Sequence, residues 1–74
     1  MRTVEAFREA EGAEPWRRYL INLSSGYELG VDRPGLVTWD EPDPEYVRVA
    51  QGDGVTVLVA LDAVVSLELK PAGR

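Results

Sequence analysis

The chain has no cysteine, no histidine and a single lysine. Without cysteine there is no disulfide scaffold, no Cys-ligated zinc and no thiol nucleophile. Without histidine the commonest general base and the commonest metal ligand are gone. Positive charge is scarce: Lys and Arg number 8 against 13 Asp and Glu, a formal charge of -5. A nucleic-acid surface needs clustered Lys and Arg, so this balance argues against one. Long apolar runs are missing too. The longest, Val57 to Leu61, is far shorter than a membrane span. The first ten residues carry Arg2, Glu5, Arg8 and Glu9, which excludes the apolar stretch of a secretion signal. The expectation is a cytoplasmic protein with no membrane partner.

What is present is a small globular composition. The 74 residues are 45% hydrophobic and 28% charged, too apolar for a disordered chain and enough for one domain, residues 1–74. Ten residues are valine, whose branched side chain suits a pleated, half-buried surface. A core this small, with no disulfide or Cys/His metal site to staple it, depends on tight packing or on self-association.

Val4, Phe7 and Ala10 fall on one helical face, with Thr3 as a cap and Pro15 as a stop, which predicts a helix over about 3–14. From Arg17 the period changes to two. Tyr19, Ile21 and Leu23 alternate with Arg18, Leu20 and Asn22, and after the turn Ser24-Ser25-Gly26 the alternation resumes at Tyr27. This reads as a hairpin of strands 17–23 and 27–31, with Gly30 marking a bulge or strong bend. Leu36–Trp39 is a short extended piece, at most a sixth strand. The segment 40–45 holds two prolines and is an exposed acidic loop. Strands 46–50 and 55–60 flank the turn Gln51-Gly52-Asp53-Gly54, where Asp53 serves the turn itself. Leu61-Asp62-Ala63 makes a tight turn into strand 64–69, with Val65, Leu67 and Leu69 inward and Ser66 and Glu68 outward. Pro71–Arg74 is a frayed tail. The expected fold is mainly β. An N-terminal helix precedes a five-stranded, strongly bent antiparallel sheet that forms a small SH3-like barrel.

The layout of that helix, then Ile21-Asn22-Leu23-Ser24-Ser25-Gly26, a bent strand, a hairpin, and Val59-Ala60-Leu61-Asp62-Ala63-Val64-Val65-Ser66-Leu67 resembles the Sm-like small barrel. That is the fold of Sm proteins and of the bacterial RNA chaperone Hfq. The spacing of Ile21, Leu23, Gly26, Pro34, Val47, Val49, Leu61, Asp62, Val64, Ser66, Leu67 and Glu68 is also similar to small bacterial proteins of this kind. The resemblance spans about residues 4–69 and implies a barrel that self-associates through its edges. Its RNA-binding residues do not carry over. Sm proteins read uridine with an Asp and an Asn after the second strand, where this chain has Leu36-Val37-Thr38-Trp39-Asp40. They place Arg-Gly before the last strand, and Hfq places Lys and His there; this chain has Ala60-Leu61-Asp62. Asp62 repels the phosphate that those families attract.

Several residues remain as candidates. Asp40, Glu41, Asp43 and Glu45 can hold a hard cation or meet a basic partner, or simply form a solvated loop without the spacing of an EF-hand. Arg17 and Arg18 lie between Trp16 and Tyr19, either to stack on single-stranded bases or merely to join helix and strand. Trp39, Tyr27 and Tyr46 can line a groove for an extended peptide, or pack in the core. The nominated partner-binding set is Trp39, Asp40, Glu41, Asp43 and Tyr46. Ser24, Ser25 and Ser66 have no His or Cys to activate them, so neither catalysis nor a cofactor is expected. Strand 55–60 is apolar on nearly both faces. Val55, Val57, Leu58 and Val59 are therefore the expected interface of a homo-oligomer. The expected role is a self-associating protein-interaction module. The alternative is an Sm- or Hfq-like RNA-binding ring, which the acidic charge disfavours.

Overall fold

The computed structural model describes residues 3–71. Helix α1 spans Thr3–Gly12 and is followed by six strands: β1 Tyr19–Leu23, β2 Glu28–Val31, β3 Val37–Thr38, β4 Tyr46–Ala50, β5 Thr56–Ala60 and β6 Val64–Leu69. A 3-10 turn, Leu61–Ala63, joins β5 to β6. The tail residues Ala72–Arg74 lie outside the described residues, as do Met1 and Arg2.

The strands form two antiparallel sheets, in the orders β2-β1-β6 and β3-β4-β5. This corrects the expected single five-stranded barrel in two ways. Leu36–Trp39 does contain a strand, and the ladder does not close. It breaks after Val31, where Asp32–Leu36 turns the chain with Gly35 at a φ of 87° that only glycine adopts freely. It stays open between β5 and β6, because the 3-10 turn carries the chain out of one sheet and into the other.

Both sheets and the helix feed one core. Phe7 from α1, Tyr19 and Ile21 from β1, Val31 from β2, and Val47 and Val49 from β4 are fully buried, with Val37 and Val59 nearly so. The helix covers this core with Val4, Phe7 and Ala10, the face its spacing predicts. It ends two residues earlier than expected, because Gly12 is a poor helix residue and Pro15 restricts Glu14. Its last turn is fastened by Glu11. One carboxylate oxygen accepts from the Tyr19 hydroxyl at 2.6 Å and the other from the Gly35 backbone N–H at 3.2 Å. Burial, then this bond, pushes the Tyr19 phenol above its ordinary range.

Two local expectations change. Gly30 is not a bulge: it pairs with Leu20 in regular register. The irregularity lies in β6, where Asn22 pairs with Ser66 but Leu23 with Val64, so that Val65 has no partner. This β-bulge reverses the facing of the strand before it. Val64 and Leu67 pack on the core, while Val65 is 67% exposed and Leu69 is also exposed. Val65 was expected inward and is not; Leu69, opposite the buried Tyr19, keeps the expected face but is left partly uncovered at the end of the strand.

Candidate interaction surfaces

In an antiparallel sheet with one buried face, side chains alternate between core and solvent. Strand β5 keeps that alternation. Val57 and Val59 pack inward, and Thr56, Leu58 and Ala60 point out. Leu58 is 60% exposed. Its cross-strand neighbour is Arg48, which donates to Asp40 at 3.0 Å and to the Thr38 hydroxyl at 3.4 Å. Val55 precedes the strand and is 53% exposed. The four residues expected at an oligomer interface thus divide: Val55 and Leu58 are available, whereas Val57 and Val59 face the core. The helix leaves the outer face of β5 uncovered; it lies against β6 and the 3-10 turn.

Among the described residues, strand β5 pairs only with β4, and β6 only with β1, so each keeps one unpaired edge. Beside β6 runs a groove of about 490 Å³ between it and α1, walled by Ala6, Ala10, Val64, Val65 and Leu67 among others. Apart from Tyr27 and Tyr46, every large exposed apolar side chain among the described residues lies on or next to β5 or β6: Val55, Leu58, Val65 and Leu69. Sequence reasoning missed the β6 half of this surface. The signal was there in the doubled Val64-Val65, since two consecutive apolar residues at a strand start break the period that a bulge then accommodates.

The acidic loop is tied down by arginines. Arg8 of α1 donates to the Glu41 carboxylate and to the Pro42 carbonyl, the latter at 3.1 Å. Glu41 also accepts from the Trp39 indole at 2.7 Å. These donors, Arg8 foremost, hold the Glu41 carboxyl below its usual range; Arg48 does the same for Asp40, chiefly by its hydrogen bond. The five nominated partner-binding residues are therefore placed unequally. Trp39 packs against Phe7 with ring centroids 6.2 Å apart. Asp40 and Glu41 are ion-paired. Asp43 and Tyr46 line an open hollow with Glu45, Leu61 and Asp62. Tyr27 lies away in the β1–β2 turn, so the three aromatics do not make one groove. Among the described residues no group of three or more Asp or Glu is arranged to hold a metal ion.

The rings of Trp16 and Tyr19 pack with centroids 6.1 Å apart, and Tyr19 is fully buried. The aromatic-and-arginine ladder for stacking bases is therefore not formed: Trp16 and Arg17 are half-buried, and of the four residues Arg18 alone is exposed. No helix among the described residues is long and apolar enough to cross a membrane. Compared with protein-family models, with curated proteins and with solved structures, the chain shows no match.

Proposed function

We propose that the protein is a non-catalytic interaction module that self-associates by pairing the free edge of β5 in one copy with the free edge of β6 in another. The observation that carries this reading is the coincidence of two unpaired strand edges with the exposed Val55, Leu58, Val65 and Leu69. An unpaired edge beside apolar side chains is an aggregation hazard unless it is covered, and pairing satisfies the backbone groups while burying the side chains. Because the two edges differ, the contact is head-to-tail, which closes into a ring or extends as a filament. The order of helix, antiparallel strands, hairpin and 3-10 turn supports reading the fold as Sm-like. RNA binding by such a ring finds no support in the residues at the Sm positions, and the net charge of -5 per copy opposes it.

Sedimentation at high micromolar concentration tests the proposal. The expected species is larger than the 8.2 kDa chain. Leu58→Asp and Val65→Asp should each weaken association about 100-fold, because they place an unpaired charge in the contact. Tyr27→Asp, an exposed residue off both edges, should leave it unchanged. A wild-type monomer at that concentration ends the proposal.

A further inference from the structure

The arginines fall into two sets. Arg8 and Arg48 are ion-paired, whereas Arg17, Arg18 and Arg33 make no ion pair among the described residues, in a chain with more carboxylates than cations. Arg17 and Arg18 sit where β1 begins, β2 ends and β6 ends. The Lys70 backbone N–H donates to the Arg18 carbonyl at 2.9 Å, which brings Lys70 alongside. Two hollows meet at this place. One, of about 290 Å³, is walled by Trp16, Arg17, Arg18, Asp32 and Pro71; the other, of about 210 Å³, includes Arg18, Asp32 and Lys70. Trp16 carries the one buried side-chain polar atom without a partner among the described residues, its indole Nε1–H. A buried donor with no acceptor is costly, and natural structures rarely keep one without use.

We infer that this end of the first sheet is a binding site for a single carboxylate. The guanidinium groups of Arg17 and Arg18 offer the planar fork that a carboxylate matches, and the indole N–H supplies a further donor. The indole N–H is buried, so donating to the carboxylate requires a side chain in the wall of the first hollow to move. Asp32 borders both hollows and sets the charge limit. It tolerates one negative charge held by Arg17 and Arg18, Lys70 being already paired with Glu68 at 3.2 Å, but it opposes the second charge of a phosphate, and the acidic molecule as a whole opposes a polyanion. This inference does not depend on self-association, since neither free strand edge is part of the site.

The test uses the intact protein labelled with ¹⁵N. The chain has two tryptophans, hence two indole N–H signals. Trp39 already donates to Glu41 and serves as the internal control. Sodium acetate is titrated at constant ionic strength against chloride, with phosphate in a parallel series. The Trp16 signal should move saturably with half-effect at about millimolar acetate, well within the limit for a ligand of so few atoms. The Trp39 signal should stay in place. Arg17→Gln and Arg18→Gln should each weaken the effect about tenfold, as for one lost charge-assisted bond, and an unmoved Trp39 signal certifies that each variant is folded. A Trp16 signal that does not move, that moves together with Trp39, or that responds in both arginine variants as it does in the wild type overturns the site. Saturation by phosphate at lower concentration than acetate overturns the carboxylate assignment.

Discussion

Strands β5 and β6 flank the same 3-10 turn, and both end in an unpaired edge, yet they expose apolar side chains for different reasons. In β5 the period of two is intact. Leu58 is exposed because the sequence puts an apolar residue on both faces and the fold buries only one. In β6 the sequence alternates from Val65 onward, but the doubled Val64-Val65 breaks the period at its start, and Val65 is exposed because a bulge removes it from the ladder. An excess of apolar residues is visible in a sequence. A register shift depends on the partner strand. The two sheets also differ in how the helix is fastened to them. Glu11 holds the buried Tyr19 of the first sheet, while Arg8 holds the exposed loop that leads into β4 of the second.

Substitutions at neighbouring positions should break this comparison in a graded way. The largest effect is expected at the inward face of β5. Val59→Asp buries an unpaired charge and should cost about 4 kcal/mol or more, enough to unfold so small a domain in urea titrations. On β6, Leu67→Ala removes a half-buried side chain and should cost about 2 kcal/mol, measured the same way. Equal costs for Leu67→Ala and Val65→Ala would show that the bulge does not set which residue packs.

Tyr19→Phe sharpens the contrast between the two fastenings. It should cost about 1 kcal/mol at neutral pH, since the Glu11 carboxylate regains water in compensation. Its pH dependence is more diagnostic. The phenol of Tyr19 is raised above its ordinary value in the folded state. Its contribution is therefore whole below the unfolded pKa, about 10, and is lost as pH rises beyond it. Wild-type stability should fall in that alkaline range, and the Tyr19→Phe variant should fall less steeply.

Smaller still are the effects of Leu58→Asp and Val65→Asp on the fold itself. Each should change monomer stability by no more than about 0.5 kcal/mol, as exposed positions do. The same substitutions are expected to disrupt association, so denaturation of dilute protein and sedimentation of concentrated protein should separate. The least effect belongs to the exposed fastening. The Glu41 carboxyl is held below its usual range, so the interactions of the loop with Arg8 and Trp39 are present above the unfolded carboxylate value and are lost as pH falls through the lowered one. The Trp39 indole signal should report that step on acidification, while global unfolding follows separately.

Much of the fold was legible because its signals are local. The spacing of Val4, Phe7 and Ala10 gave the buried helix face. The bounds of β4 and β6 followed from alternation between turn residues, and the hairpin at Gln51–Gly54 from its glycines and from Asp53, which accepts from the Val55 N–H at 3.1 Å. The candidate surface was half legible: Leu58 follows from the apolar excess in β5, whereas on β6 the doubled Val64-Val65 marks an irregularity without saying which of the two valines leaves the ladder.

Composition and periodicity by themselves determined a small mainly β domain with one covering helix and an apolar strand that has too many inward-type residues. Those properties depend on neighbours a few positions away along the chain. Tertiary structure alone decided that the sheet is split in two, that Val65 rather than Gly30 is the irregularity, that Arg8 and Arg48 neutralise Glu41 and Asp40, and that Trp16 keeps a buried donor beside two arginines without an ion pair among the described residues. Each of these joins residues far apart in sequence. Pairing register and side-chain partners across such distances are fixed by how the whole core packs, and no local pattern records them.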